Sequence, residues 1–216
     1  MATKKTTKAD EAKEIDVELN LKTIKVPIVG VSPLIVSRFD EKSKQQIAEI
    51  GATEQGLKQG GKKKNIADPE DQYKRSLYVF EDGKSFGFPA AAFKAAMVTA
   101  AYRSYGRAQT VTRSSFHVLA DGKSTDGKDL VKIIGDHRMR EDMVRVGPQK
   151  VASPRYRAEF PSWSAVITII FMEGVITEKE IIGLLNTSGF TCGVGEWRPE
   201  KSNSGSFGMY KVESTK

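Results

Sequence analysis

Near the C-terminal end stand two glycine clusters, Gly193-Val-Gly195 and Gly205-Ser-Phe-Gly208, enclosing Trp197, Arg198 and Lys201. Glycines permit positive φ and close backbone approach. Their amides can form an anion-binding nest, to which Arg198 and Lys201 add charge and Trp197 a stacking face. The same residues also suit a glycine-rich hairpin in which Trp197 fills core and the charges face water.

A second concentration of chemistry lies upstream. Between Lys94 and Arg157 there are 13 Lys and Arg against 6 Asp and Glu, so this stretch carries the whole net charge of +7, and 8 of the 13 are arginines. Arginine favours bidentate phosphate contacts and stacks on bases, which points to nucleic acid rather than to a merely solubilising surface. The candidates are Lys94, Arg103, Arg113, Arg138, Arg140, Arg145, Arg155 and Arg157, interleaved with Tyr102, Tyr105 and Tyr156. Arg140 and Arg145 flank Glu141 and Asp142, so some of these arginines must serve structural ion pairs.

Other chemistries find little support. Two histidines, His117 and His137, are the only candidates for a neutral-pH general base, and Asp40 and Asp136 are weak ones for a metal-assisted step. One cysteine, Cys192, excludes an internal disulfide and reads as a small buried thiol. With two histidines it makes a structural zinc site untenable, and no metal or cofactor is expected. Gly56 to Lys63 nearly matches a phosphate-binding loop, but Lys63 replaces the magnesium-holding Ser/Thr and no strand leads into it. No run reaches the roughly 20 apolar residues of a membrane span, and the N-terminus lacks a signal-peptide apolar region, so a cytoplasmic protein is expected.

The elements that must position these residues follow from periodicity and caps. Residues 1–13 read as a disordered basic tail and 14–216 as one domain. Alternation from Ile15 to Leu21, then a shifted phase at Ile24, Val26 and Ile28, predicts a strand with a bulge or bend before Gly30 and Pro33. Helices are predicted over about 41–50 after Asp40, from Asp68-Pro69 to Ser76, and from Ala90 to Tyr105. Leu77–Phe80, Ser85–Phe88, Val111–Leu119 and Leu130–Ile134 read as strands, with Arg113 and His117 on one alternate face of the third. Residues 136–161 show little periodicity and read as an extended basic arm. A core strand spans Trp163 to Phe171. A capping box at Thr177–Glu180 opens a helix that Ser188-Gly189 should end, and Phe207 and Met209 begin the last strand.

This order suits an α+β, ferredoxin-like (RRM-like) split βαβ sheet, with 106–160 inserted and the glycine-rich loop before the last strand. Two local stretches carry a resemblance. Phe86-Gly-Phe-Pro-Ala-Ala-Ala-Phe-Lys94-Ala-Ala-Met-Val-Thr-Ala-Ala-Tyr-Arg103 and the loop Gly193 to Gly208 are similar to motifs of the RAMP superfamily, which includes the backbone subunits of CRISPR effector complexes. Val-Pro-Ile-Val-Gly-Val-Ser-Pro-Leu-Ile-Val, Met-Arg-Glu-Asp-Met-Val-Arg-Val and Gly-Val-Gly-Glu-Trp-Arg-Pro also resemble wording shared by a set of uncharacterised phage proteins. Together the resemblances imply a phage-encoded, non-catalytic, RAMP-like protein in a bacterial host cytoplasm. It would bind single-stranded DNA or RNA and self-associate along the strand. The alternatives are a structural or partner-binding phage protein, and a RAMP-type RNA endonuclease.

Overall fold

The computed structural model of the protein describes residues 20–38, 68–146 and 151–213. The expected tail over 1–13, the strand start at Ile15, Asp40 with its helix over 41–50, and the phosphate-loop-like stretch lie outside the described residues. In chain order the elements are β1 (Leu21–Gly30), β2 (Leu34–Val36), α1 (Pro69–Ser76), β3 (Tyr78–Val79), β4 (Phe86–Pro89), α2 (Ala90–Tyr105), α3 (Gln109–Ser115), β5 (Phe116–Leu119), β6 (Gly122–Lys123), β7 (Asp129–Lys132), β8 (Arg138–Val146), β9 (Val151–Phe160), β10 (Ser164–Met172), α4 (Glu178–Thr191) and β11 (Tyr210–Val212).

The architecture is mixed α and β, with antiparallel sheets throughout the described residues. The principal sheet has strand order β11-β1-β10-β5. Helix α2 lies in the chain between its strands β1 and β5, and α4 between β10 and β11. Alternation decides which face is covered: Ala165, Ile167, Ile169 and Phe171 of β10 are buried with Val26 and Ile28 of β1, while Val166 between them is exposed. Phe93, Met97 and Ala101 of α2 and Ile181, Leu184 and Leu185 of α4 complete that core. Each large side chain fully buried there is worth roughly 1.5–3 kcal/mol of transfer free energy. A second sheet, β2-β9-β8, and a third, β3-β4-β7-β6, flank the first.

The helix signals act as chemistry requires. The Asp68 carboxylate accepts from the Glu70 amide at 3.4 Å, with Pro69 opening α1. Helix α2 closes on Gly106 in the left-handed region, where the glycine amide bonds back to Tyr102. The Thr177–Glu180 capping box is complete, the Thr177 amide reaching Glu180 Oε2 at 2.8 Å.

Several expectations are corrected. The phase shift in β1 makes no bulge: β1 pairs with β10 in unbroken register from Leu21↔Met172 to Val29↔Ser164, and the chain bends only after Gly30. Val111–Leu119 is not one strand. It begins as helix α3, held by back-bonds from Thr112 Oγ1 to Ala108 O and from Ser115 Oγ to Thr112 O, and turns to strand only at Phe116. The basic arm is a regular hairpin, paired from Arg138↔Glu159 outward, with β2 added on β9. Helix α4 runs past Ser188-Gly189. Gly189 is there for contact, since a Cβ would lie 2.0 Å from Tyr210 O, and the stop comes at Gly193, whose amide bonds to Ser188 O. The last strand begins at Tyr210, because Phe207 turns aside onto Trp197 and the Met209 amide bonds to Ser32 Oγ.

Candidate nucleic-acid interface

The arginine-rich hairpin builds its own counter-charge. Strand alternation puts Arg138, Arg140 and Asp142 of β8 on one face with Arg155, Arg157 and Glu159 of β9. Both acids are buried. Glu159 accepts from Arg138 Nε at 2.7 Å and from Arg140 Nη1 at 2.8 Å, and Asp142 accepts from Arg140 Nε at 2.8 Å. Arg157 stands 3.9 Å from Asp142. Burial alone would raise the Glu159 pKa, but the hydrogen bonds and charges of Arg138 and Arg140 outweigh it and hold the carboxyl below its ordinary range.

The same arginines dock the glycine-rich loop. The Arg140 guanidinium lies 5.5 Å from the Trp197 ring centre and 4.8 Å from that of Phe207, and Arg157 lies 5.8 Å from Trp197. Trp197 is the one non-glycine residue at positive φ among the described residues, at 51°. Arg198 is turned inward, bonding Glu200 at 3.1 Å and the Gly195 carbonyl at 3.0 Å. The glycine amides are spent internally: Gly193 on Ser188 O, Gly205 on Ser202 O and Gly208 on Pro33 O. Those three cannot form the anion nest expected of the loop. Their small size serves close packing, since a Cβ on Gly208 would fall 1.7 Å from Val194 O.

Cations without acids gather elsewhere. Helices α2 and α3, with the start of β5, enclose an open groove of about 690 Å³. Its lining includes Lys94, Thr99, Gln109, Arg113, Ser114 and His117, over Ala91, Ala95 and Val98. No carboxylate among the described residues lines it. Lys94 Nζ lies 3.0 Å from His117 Nδ1. An ammonium can only donate, so in this contact Lys94 is the donor toward the ring nitrogen. Partial burial, and then the nearby Arg113 charge, press Lys94 below the ordinary lysine range. Along α2 the groove leads to exposed Tyr102, four residues past Val98, and to exposed Arg103.

A second, smaller cavity of about 210 Å³ adjoins it across Ala95. Its lining includes Ala92, Ala96 and residues 193–195, with Ser37, Tyr78, Phe88, Glu196, Arg198 and Glu200.

Of the residues singled out in the sequence, Lys94, Arg113 and His117 meet in the groove, with Arg103 beyond it. Arg138, Arg140, Arg157 and Trp197 meet in the hairpin–loop junction, and Arg198 lines the smaller cavity. Arg145, Arg155 and Lys201 are exposed, and none has an ion-pair partner among the described residues. His137 is enclosed by Tyr73, Phe86 and Phe160, with its Nδ1 2.5 Å from Tyr73 Oη. Burial lowers its pKa, against an opposing effect of Asp136. Cys192 is buried and its thiol pKa raised by that burial. Sequence reasoning missed Ser114, hidden by the strand reading of Val111–Leu119, and Gln109, which precedes that stretch. It also missed Glu196, whose position directly after Gly195 was the available signal, and the buried acid Glu159.

Among the described residues there is no cluster of three potential metal ligands, and no helix is long and apolar enough to cross a membrane. No protein-family model and no curated protein sequence matches the chain. Among solved structures it is similar to the crystal structure of Cmr6 from Pyrococcus furiosus, at 14% identity and TM-score 0.41, over 91% of this chain and 100% of that one. It is also similar to a chain in the cryo-EM structure of the Type III-B Cmr-beta complex bound to cognate target RNA. That match has 10% identity and TM-score 0.49, over 90% of this chain and 59% of the other. What this chain binds is therefore read from its own residues.

Proposed function

We propose that this is a non-catalytic, single-stranded nucleic-acid-binding protein of RAMP-like, ferredoxin-like build, encoded by a phage and acting in copies arrayed along the strand. The observation that carries the reading is the α2–α3 groove, where Lys94, Arg113 and His117 converge from three elements with no carboxylate among the described residues of the lining. A phosphate there would meet two cations and no repulsion. Tyr102 and Arg103 extend the track with a stacking face and a further charge. Stacking contributes about 1–3 kcal/mol per base without demanding a sequence.

The strand order β11-β1-β10-β5, with one helix following the first strand and one the third, supports the ferredoxin-like part of the proposal. The state of the histidines supports the non-catalytic part. His117 Nδ1 is occupied by Lys94, and His137 is half-buried against aromatic rings. Exposed Val166, Leu119 and Phe190 supply apolar surface for contact between copies.

Fluorescence anisotropy with labelled single-stranded RNA, single-stranded DNA and duplex DNA at about 50 and 200 mM salt tests the reading. Single-strand-selective binding that weakens steeply with salt is the expected result, and the tighter of the two strands identifies the ligand. Absence of binding to all three at low salt would overturn it.

A further inference from the structure

The cavity beside the glycine-rich loop has a chemistry unlike that of the groove it adjoins. Among the described residues its two acids, Glu196 and Glu200, outnumber its one cation, Arg198. Glu200 is engaged by Arg198 Nε. The Glu196 carboxylate has no hydrogen-bond or ion-pair partner among the described residues, although it stands close enough to influence Tyr78. Arg198 spends Nε on Glu200 and Nη1 on the Gly195 carbonyl, and retains donors of its guanidinium for a ligand. The walls are aromatic, with Tyr78 and Phe88 edge to face at 5.8 Å. Ala92, Ala95 and Ala96 leave the opposite side smooth.

Each feature restricts the occupant. A phosphate is repelled by the two carboxylates. At about 210 Å³ the cavity lies below the roughly 300–1,000 Å³ of pockets for drug-sized ligands, which suits one flat ring system. An unpaired carboxylate accepts two hydrogen bonds and donates none. Among the four bases only guanine presents two adjacent N–H donors on its Watson–Crick edge, N1–H and N2–H, beside an acceptor, O6, which arginine favours.

Building on the single-strand reading, we infer that this cavity is a base-reading pocket for one unstacked guanine. Glu196 accepts from N1–H and N2–H, Arg198 donates to O6, and Tyr78 and Phe88 wall the ring. The strand's phosphates remain outside, in the neighbouring groove that shares Ala95. The chain thus binds strands through the groove and selects a base through the pocket.

The test is a titration of the full-length protein with GMP, AMP, CMP and UMP followed by tryptophan fluorescence. It is paired with anisotropy on a short oligouridine strand with and without one guanine. The expected result is a roughly tenfold preference for guanine in both formats, the size of one good bidentate base contact. Glu196→Gln should abolish the preference, and so should Ala92→Leu, which narrows the cavity, with unchanged thermal unfolding as the control for each. Equal binding of all four nucleotides, or a preference that survives in both variants, overturns the pocket. Strand binding with no response to guanine leaves the groove reading standing and sinks the pocket alone. A guanine preference for the mononucleotide without any strand binding does the reverse. Glu196-dependent binding of an arginine-rich peptide in place of GMP would assign the cavity to a partner's basic side chain and refute the proposal.

Discussion

In the β8–β9 hairpin Arg138, Arg140 and Arg157 each face a buried carboxylate, and Arg140 and Arg157 lie over Trp197. In the α2–α3 groove Lys94 and Arg113 share a lining with His117 and with no acid among the described residues. The hairpin has more arginines, and in the sequence it is the more conspicuous of the two. Yet Arg138, Arg140 and Arg157 are tied to buried acids from within and hold a loop in place, which leaves Arg145 and Arg155 as its exposed cations among the described residues. The groove's smaller charge is uncompensated and open to a ligand. Density of cations marks where charge is concentrated; the placement of carboxylates decides whether that charge is structural.

The largest effect expected from this contrast is on stability. Glu159→Ala removes the shared acceptor of Arg138 and Arg140, and losing charge-assisted hydrogen bonds of this kind typically costs about 1.5–3 kcal/mol. Urea unfolding measures it. A loss below about 1 kcal/mol would place the hairpin pairs with ordinary surface ion pairs and break the distinction. Lys94→Ala with Arg113→Ala should instead leave stability within about 0.5 kcal/mol. It should flatten the salt dependence of strand binding by about 1.4 in log–log slope, from two lost phosphate contacts. Arg140→Lys keeps the charge but loses the planar fork and its stacking on Trp197 and Phe207. It should cost about 1–2 kcal/mol and loosen the loop, seen as faster amide exchange near Trp197.

Acidification sharpens the comparison further. Because the Glu159 pKa is held below its unfolded value, the stability it contributes is present above the ordinary glutamate range and is lost as pH falls through the lowered folded value. Urea midpoints should therefore fall below about pH 4, and Glu159→Gln should flatten that part of the profile. His137 gives a smaller effect with the same sign. Its pKa is depressed by burial, so its contribution is present above the usual histidine value, near 6.5, and declines below it. His137→Phe should remove this slope between about pH 7 and 5.

What could be read in advance was whatever local pattern encodes. Alanine content with Pro89 before and Gly106 after delimits α2, and Thr177–Glu180 caps α4. The run from Ala165 to Phe171 alternates cleanly because β10 is covered on one face. Helix α3 was hidden because Thr110, Val111 and Thr112 favour strand, and only the back-bonds of Thr112 and Ser114 and packing on α2 reverse that preference. The hairpin was hidden because its logic is cross-strand: Glu159 means little until register sets it opposite Arg138, 21 residues away. Lys94, Arg113 and His117 were each visible as candidates. Their meeting was not, since it depends on the turn after Gly106 that folds α3 beside α2. Glu196 was overlooked because a carboxylate argues against a phosphate site, and only the cavity brings it together with Arg198, Tyr78 and Phe88.

In the function proposed above, strands are held by the groove rather than by the arginine hairpin. Anisotropy of the preferred single strand at low salt should be compared for the wild type, Lys94→Glu with Arg113→Glu, and Arg145→Glu with Arg155→Glu. Near-complete loss in the groove variant, with the hairpin variant retaining most of its affinity, is the predicted result. Wild-type binding in the groove variant, with loss in the hairpin variant, would contradict it.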